Sequence, residues 1–199
     1  DTLSRRIYDI KFRNLQTNKL LDETIENTTG SMAWANDNKT VFYTKQDLKT
    51  LRSYQIFKHT IGTDPKNDIL VFEEKDDTFH CYVYKSKSDK FIIINSSSTM
   101  SDEYRIIDAS QPNEKPKIFQ SRKRGLEYSI YHHHDKFFIL TNKDHENFSL
   151  MSCHIETTDT SKWETVIEGN NETLLEDLEL FNDHYALSER SNGLMKLKI

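Results

Sequence analysis

The chain has 199 residues, with 27 Lys and Arg against 32 Asp and Glu, a net charge of −5, and 11% aromatic residues. This aromatic content is too high for a disordered chain, and the mild acidity without a basic stripe disfavours nucleic acid as a partner. Only five glycines occur, no two closer than 24 residues, which excludes the P-loop, the Rossmann fingerprint and the nucleophile elbow of hydrolases.

Short β-branched or aromatic runs with a period of two, bounded by polar turns, predict an all-β protein. The first segment resembles the last two strands of a sheet, each of the next three contains four strand-like runs, and the final segment contains three. In chain order, these segments are 5–26, 31–74, 79–122, 127–168 and 175–199. We take the whole chain as a single segment of one domain.

The strand-like runs also repeat over a longer period. Runs that follow a short polar turn begin at Val41, Phe91, Phe137 and Tyr185, which are 50, 46 and 48 residues apart. Four strands every 40 to 50 residues predict β-propeller blades, because one such sheet cannot cover both of its faces. The repeat predicts three full blades and a partial blade at each end. It also favours a strand over the helix capping box that begins at Thr173.

The cysteines and the absence of a long apolar run bear on the compartment. Cys81 and Cys153 could form one disulfide, but two buried free thiols in a reducing compartment are favoured. No stretch approaches 18 apolar residues, so no membrane span is predicted. The chain opens at Asp1 without an initiator Met or a signal peptide, and we expect a piece of a longer protein.

Few residues are candidates for chemistry. Of His132, His133 and His134, only the first and third would share a strand face, and a turn is favoured over a metal site. Glu73–Thr78 contains two adjacent carboxylates that could bind a cation or act as an acid–base pair. Ser121–Gly125 is a basic segment that could contact a partner. Solvated loops are favoured for both segments.

The remaining candidates also have a structural interpretation. Trp34 and Trp163 lie in strand-like runs, where core packing is favoured over ligand stacking. The chain contains the Ser, His and Asp residues that a catalytic triad requires. However, it contains no G-x-S-x-G nucleophile elbow that would identify the serine of such a triad. We therefore predict that the chain has no catalytic, cofactor-binding or metal-binding residue.

Several stretches together carry a family resemblance. They are Gly30-Ser31-Met32-Ala33-Trp34, Tyr54-Gln55-Ile56 with His59, Phe72-Glu73-Glu74-Lys75-Asp76-Asp77-Thr78, Glu127-Tyr128-Ser129, Asn147-Phe148 and Glu189-Arg190-Ser191-Asn192-Gly193-Leu194. In their order and spacing, they resemble the N-terminal β-propeller of the prolyl oligopeptidase family of serine peptidases. Within that family, they are most similar to the oligopeptidase B, or protease II, branch.

The resemblance implies a seven-bladed ring followed by an α/β-hydrolase domain. That domain carries the catalytic Ser, Asp and His and the acidic residues that select Arg or Lys, so the resemblance implies that about four blades are present here and the hydrolase domain is absent. It implies a cytoplasmic serine-type endopeptidase that cleaves short basic peptides. The propeller would cover the active site and exclude large substrates, and the isolated piece would be inactive.

Two alternatives come from other functional classes. The first is a free-standing propeller-like scaffold that binds a protein or peptide. The second, less favoured, is a small metal-dependent hydrolase. A truncated ring would expose blade faces and edge strands, so we expect the isolated chain either to close into a smaller ring or to self-associate through those edges.

Overall fold

The computed structural model describes Asp1 and residues 4–199, which form four β-sheets in which the strand order follows the chain. The first sheet contains β1 (Tyr8–Arg13), β2 (Leu20–Trp34), β3 (Thr40–Gln46), β4 (Ser53–Thr60) and β5 (Ile69–Glu73). The second contains β6 (His80–Lys85), β7 (Phe91–Ser97), β8 (Asp102–Asp108) and β9 (Lys117–Gln120). The third contains β10 (Tyr128–His133), β11 (Lys136–Thr141), β12 (Ser149–His154) and β13 (Glu164–Ile167). The fourth contains β14 (Leu174–Leu180), β15 (Tyr185–Ser191) and β16 (Leu194–Lys198).

The all-β prediction is confirmed, since helix is confined in the described residues to two short 3₁₀ turns, Pro65–Asn67 and Thr160–Lys162. The strand predicted in place of a capping box after Thr173 is also confirmed, because β14 begins at Leu174. Within the described part of the chain, no helix is long and apolar enough to cross a membrane.

Strand β2 is long because it pairs with two neighbours in succession. Its first half pairs with β1, its second half pairs with β3, and Thr28 pairs with residues of both. Asn27 and Gly30 have positive φ values of 60° and 84°, which Asn and Gly tolerate better than other residues. The ladder shifts register here, so the strand changes partner without ending. A single strand thus crosses the gap that the sequence placed between 5–26 and 31–74.

One compact unit consists of Asp1–Lys85, Asp89–Ser98 and Arg105–Lys117. In this unit the β1–β2 hairpin lies against β3, and Phe12 and Ile25 share a buried cluster with Val41 and Tyr43. A second buried cluster contains Ala33, Ala35, Phe42, Ile56, Cys81, Val83, Ile92, Ile94, Ile107 and Ala109. Several of these residues are two positions apart, such as Cys81 and Val83 or Ile92 and Ile94, as side chains on one face of a strand are.

The other compact unit consists of Ser86–Ser88, Thr99–Tyr104 and Ile118–Ile199. Its aliphatic core contains Leu140, Leu150, Leu175, Leu178, Leu180 and Leu187. An aromatic cluster adds to this core: the Tyr128 and Trp163 ring centroids lie 5.4 Å apart, and Phe119 meets Phe137 edge to face at 4.9 Å. Aromatic pairs in such geometries add stability beyond the area that they bury.

Both cysteines are free and buried, which confirms the predicted state of the two thiols. Burial raises the pKa of each thiol from 9.0 to about 12, and the Glu74 carboxylate adds to the effect at Cys81. Because only the thiolate reacts, the reactive fraction at pH 8 falls roughly a thousandfold. We expect iodoacetamide to alkylate neither thiol in the native protein and both in guanidinium chloride, as followed by mass spectrometry. Rapid alkylation of either native thiol would contradict this expectation.

Candidate functional site

Strands β6, β10 and β14 each begin a sheet, and we call them the opening strands. In β6, buried Cys81 and Val83 alternate with exposed His80, Tyr82 and Tyr84. The opening strands therefore combine a buried apolar face with side chains that remain available to solvent.

Strand β14 contributes two exposed carboxylates, Asp177 and Glu179. Asp177 accepts a hydrogen bond of 2.8 Å from the hydroxyl of Tyr131 in β10, and burial together with this carboxylate raises the pKa of Tyr131. Glu179 pairs with Lys87, whose ammonium lies 4.1 Å from the centre of the Phe181 ring. Both carboxylates are thus held in place on a solvent-exposed strand.

The histidine run divides between a strand and a turn. His132 and His133 end β10, and only His134 lies in the following turn, with a positive φ of 54°. His133 Nε2 lies 3.3 Å from the backbone oxygen of Asn182, as a donor to a carbonyl would. Among the described residues, no group of three or more His, Cys, Asp or Glu side chains is arranged to hold a metal ion.

The structure brings one serine and one histidine together, at Ser88 and His132. The Ser88 hydroxyl oxygen lies 2.7 Å from His132 Nδ1, a distance that would suit a nucleophile and its base. However, His132 is only 5% exposed and packs edge to face against Phe137. The contact therefore gives Nδ1 of this buried imidazole a hydrogen-bond partner.

Glu74, in the charged run after β5, is buried rather than solvated. It is 4% exposed, it accepts the backbone N–H of Asp76 at 3.0 Å, and it accepts the hydroxyl of Ser96. The guanidinium of Arg52 donates to the backbone oxygens of Glu74, Asp76 and Phe79. The solvated-loop prediction was therefore wrong for Glu74, because Arg52 and Ser96 supply partners that the local sequence does not reveal.

The basic segment after β9 is partly tied down in a similar way. The backbone N–H of Arg122 donates to Glu103 at 2.9 Å, and its guanidinium lies 3.4 Å from the other carboxylate oxygen. Lys123 and Arg124 are exposed. Arg122 therefore has a structural partner, and only its two basic neighbours remain at the surface.

The most highly charged buried cluster joins Glu23, Tyr43, His59 and Asp68. His59, on β4, is fully buried and lies between the carboxylates of Asp68, at 2.7 Å from Nδ1, and Glu23, at 3.2 Å from Nε2. Tyr43 donates its hydroxyl to Asp68 at 2.8 Å, and the Gly62 N–H donates to Glu23 at 2.8 Å. The cluster ties the β1–β2 hairpin to strands β3 and β4.

The geometry of this cluster constrains its protons. A neutral imidazole has one donor and one acceptor nitrogen, yet both nitrogens of His59 face carboxylate oxygens. In either tautomer, the ring therefore donates to at least one of the two carboxylates. The sequence did not identify this cluster, because its four residues are far apart in the chain and meet only through tertiary packing.

The two tryptophans have different environments. Trp163 is buried, and its indole N–H donates to the backbone oxygen of Thr158 at 2.8 Å, so the core-packing prediction holds there. Trp34 is 38% exposed and meets Phe12 edge to face at 5.8 Å. It is therefore only half packed, at the end of β2.

Comparison with known sequences gives one consistent match. Residues 1–199 match the family described as prolyl oligopeptidase, N-terminal β-propeller domain. Dipeptidyl aminopeptidase BI of Pseudoxanthomonas mexicana is 35% identical over 200 residues, which cover 100% of this chain and 28% of that protein. Protease 2 of Moraxella lacunata is 36% identical over 192 residues, which cover 96% of this chain and 27% of that protein.

Solved structures agree with these matches on the fold. Oligopeptidase B from Leishmania major superposes with a TM-score of 0.93 at 21% identity, covering 99% of this chain and 28% of that one. Oligopeptidase B from Trypanosoma brucei, in a closed form with covalently bound antipain, superposes with a TM-score of 0.89 at 24% identity. The match again covers 99% of this chain and 28% of that one. The β-propeller prediction is therefore confirmed, and the chain spans little more than a quarter of the length of these relatives.

Proposed function

Because this chain belongs to the prolyl oligopeptidase family and matches its N-terminal β-propeller domain, we propose that it covers the active site of a serine peptidase and excludes large substrates. The observation that carries the proposal is the match of all 199 residues to that domain. A propeller that lies over a catalytic domain limits by its own bulk which substrates can enter.

The proposal includes the parent protein. We propose that an α/β-hydrolase domain of the same protein supplies the catalytic Ser, Asp and His, that this chain supplies none of them, and that the enzyme works in the cytoplasm. The curated relatives, which are named as peptidases and are more than three times as long as this chain, support this division of roles.

We also propose that the propeller favours basic peptides, which are cleaved after Arg or Lys. Propeller sheets surround a central channel, and neighbouring first strands contact each other here, as Tyr131 of β10 contacts Asp177 of β14. Exposed Asp177, which accepts from the neutral hydroxyl of Tyr131, would present negative charge to a passing peptide and attract a cationic one. Exposed Glu179 would exchange its Lys87 partner for the cationic side chain of the peptide.

The test uses the intact protein and substrates that differ only in size. We expect rapid cleavage of an Arg-Arg dipeptide reporter, slower cleavage of a 30-residue unfolded peptide that contains the same pair, and none of a folded protein that displays it. The double variant Asp177→Asn/Glu179→Gln should lower kcat/KM for the reporter about fivefold, chiefly through KM, since it removes attraction rather than chemistry. Liquid chromatography and reporter fluorescence measure both effects.

Glu156→Gln is the matched control, because Glu156 is exposed in a turn away from the opening strands. It should leave kcat/KM unchanged. Equal cleavage of the folded protein and the reporter would refute the covering role. An unchanged KM in the double variant would refute only the role of the two carboxylates. An intact protein without peptidase activity that nonetheless retains a peptide partner would favour the free-standing scaffold.

The self-association expected of the isolated chain remains a proposal. Strand β16 lies at an edge of its sheet, and it exposes Leu194, Met195 and Leu197. An exposed apolar edge strand offers both unpaired backbone groups and apolar surface to another chain. We propose that the isolated chain associates through this strand.

A further inference from the structure

A groove of about 430 Å³ borders the first sheet in one compact unit. It is lined by residues 69–72 of β5, by residues 113–116, and by Lys58 and Arg105. Strand β5 is the last strand of its sheet. Because successive side chains of a strand point to opposite faces, four consecutive lining residues indicate that the edge of β5 itself borders the groove.

The edge strand is unusually apolar for an exposed position. Ile69 is 57% exposed and Leu70 is 44% exposed. Natural proteins usually protect a sheet edge with charge, proline or a covering segment. An apolar edge beside a groove is therefore a surface on which an added strand would bury apolar area and pair its backbone.

One face of this edge is positively charged. Lys58 of β4 is the cross-strand partner of Ile69, so the two side chains lie on the same face of the sheet. The Arg105 guanidinium lies 4.1 Å from the centre of the Phe72 ring. Cation–π contact of this kind holds a guanidinium in place. The opposite face of the edge carries Leu70 instead.

The Lys58 ammonium is held by neutral oxygen atoms. It donates to the Asn113 side-chain oxygen at 2.7 Å and to the Pro112 backbone oxygen at 3.2 Å, and within the described residues no carboxylate lies within ion-pair distance of it. Burial lowers the pKa of Lys58. The nearby Glu114 carboxylate lies 3.7 Å from Lys117. A partly desolvated cation with only neutral acceptors favours an anion from outside.

We propose that this groove binds an extended segment of a partner protein in which acidic and apolar residues alternate, and that this segment adds a strand to β5. Its backbone would pair with the free edge, as in other cases of strand addition. Its carboxylates would lie on the face of Lys58 and Arg105, and its apolar side chains would lie on the face of Leu70, because cross-strand neighbours share a face.

The test measures binding of a fluorescein-labelled peptide, Val-Glu-Val-Glu-Val-Glu, to the intact protein by fluorescence anisotropy. We expect Lys58→Met to weaken binding at least tenfold, Lys58→Arg to stay within threefold of the original protein, and 0.5 M salt to weaken binding at least fivefold. Lys66→Met is the matched control, because Lys66 lies in a 3₁₀ turn outside the groove, and it should leave binding unchanged.

Two further peptides separate strand addition from simple charge attraction. A version with proline in place of two valines cannot donate the backbone hydrogen bonds of a strand, so we expect it to lose at least tenfold in affinity. A Val-Lys version should not bind. Equal binding of the proline version, equal binding to Lys58→Met, or the absence of binding at 1 mM peptide would each overturn the proposal. None of these readouts depends on peptidase activity.

Discussion

Replacement of His59 by leucine is expected to lower the free energy of unfolding by about 3 to 5 kcal/mol. The imidazole is fully buried between the carboxylates of Glu23 and Asp68. Leucine has a similar volume but supplies neither a charge nor a hydrogen-bond donor, so two buried carboxylates would lose their shared partner. This loss costs far more than the loss of an exposed ion pair, which is worth about 1 kcal/mol at most.

Urea denaturation followed by circular dichroism measures the change. His80→Leu is the matched control, since His80 is exposed on β6 in the same compact unit, and it should change stability by less than about 0.5 kcal/mol. Adding Glu23→Gln to His59→Leu should recover part of the loss, because one buried charge disappears. A loss below 1 kcal/mol for His59→Leu would show that the cluster does not hold the hairpin to the sheet.

The strands were predictable because a short apolar run bounded by polar turns is a local property of the sequence. Phe91, Ile92, Ile93 and Ile94 form an aromatic and β-branched run between polar turns, and they become a buried part of β7. The partner change in β2 was not predicted. It depends on the left-handed backbone at Asn27 and Gly30, which looks like an ordinary turn in the sequence.

The buried polar groups were not predictable for a different reason. Glu23 and His59 are 36 residues apart and meet only because the β1–β2 hairpin packs on β3. Glu74 stands in a run of charges that resembles a solvated loop, and its burial depends on Arg52 and Ser96. Such contacts arise from tertiary packing, which no local pattern encodes.

Arg52→Lys is expected to cost about 2 to 3 kcal/mol although it preserves the positive charge. Arg52 Nε donates to the Phe79 backbone oxygen at 2.8 Å, and Nη2 donates to that of Glu74 at 2.9 Å. Both acceptors belong to buried residues. A lysine ammonium is a single point and cannot reproduce the fixed fork of a guanidinium, so at least one buried carbonyl would lose its donor.

The matched control is Arg13→Lys, because the exposed Arg13 guanidinium donates to the exposed side chain of Asn18 rather than to a buried carbonyl. Urea denaturation should show a change below about 0.5 kcal/mol for this control. If Arg52→Lys were equally mild, the charge of Arg52 rather than its geometry would hold the turn.

The turn that Arg52 holds joins β5 of the first sheet to β6 of the second. If the propeller covers the active site as proposed above, a looser turn should change which substrates are cleaved. A cover excludes large substrates only while its sheets stay together. In the intact protein, Arg52→Lys should therefore speed cleavage of the 30-residue peptide relative to the dipeptide reporter, while Arg13→Lys should not. Faster hydrogen exchange at residues 74–79 should accompany the change. An unchanged ratio of the two cleavage rates, despite faster exchange, would mean that access is controlled elsewhere in the ring.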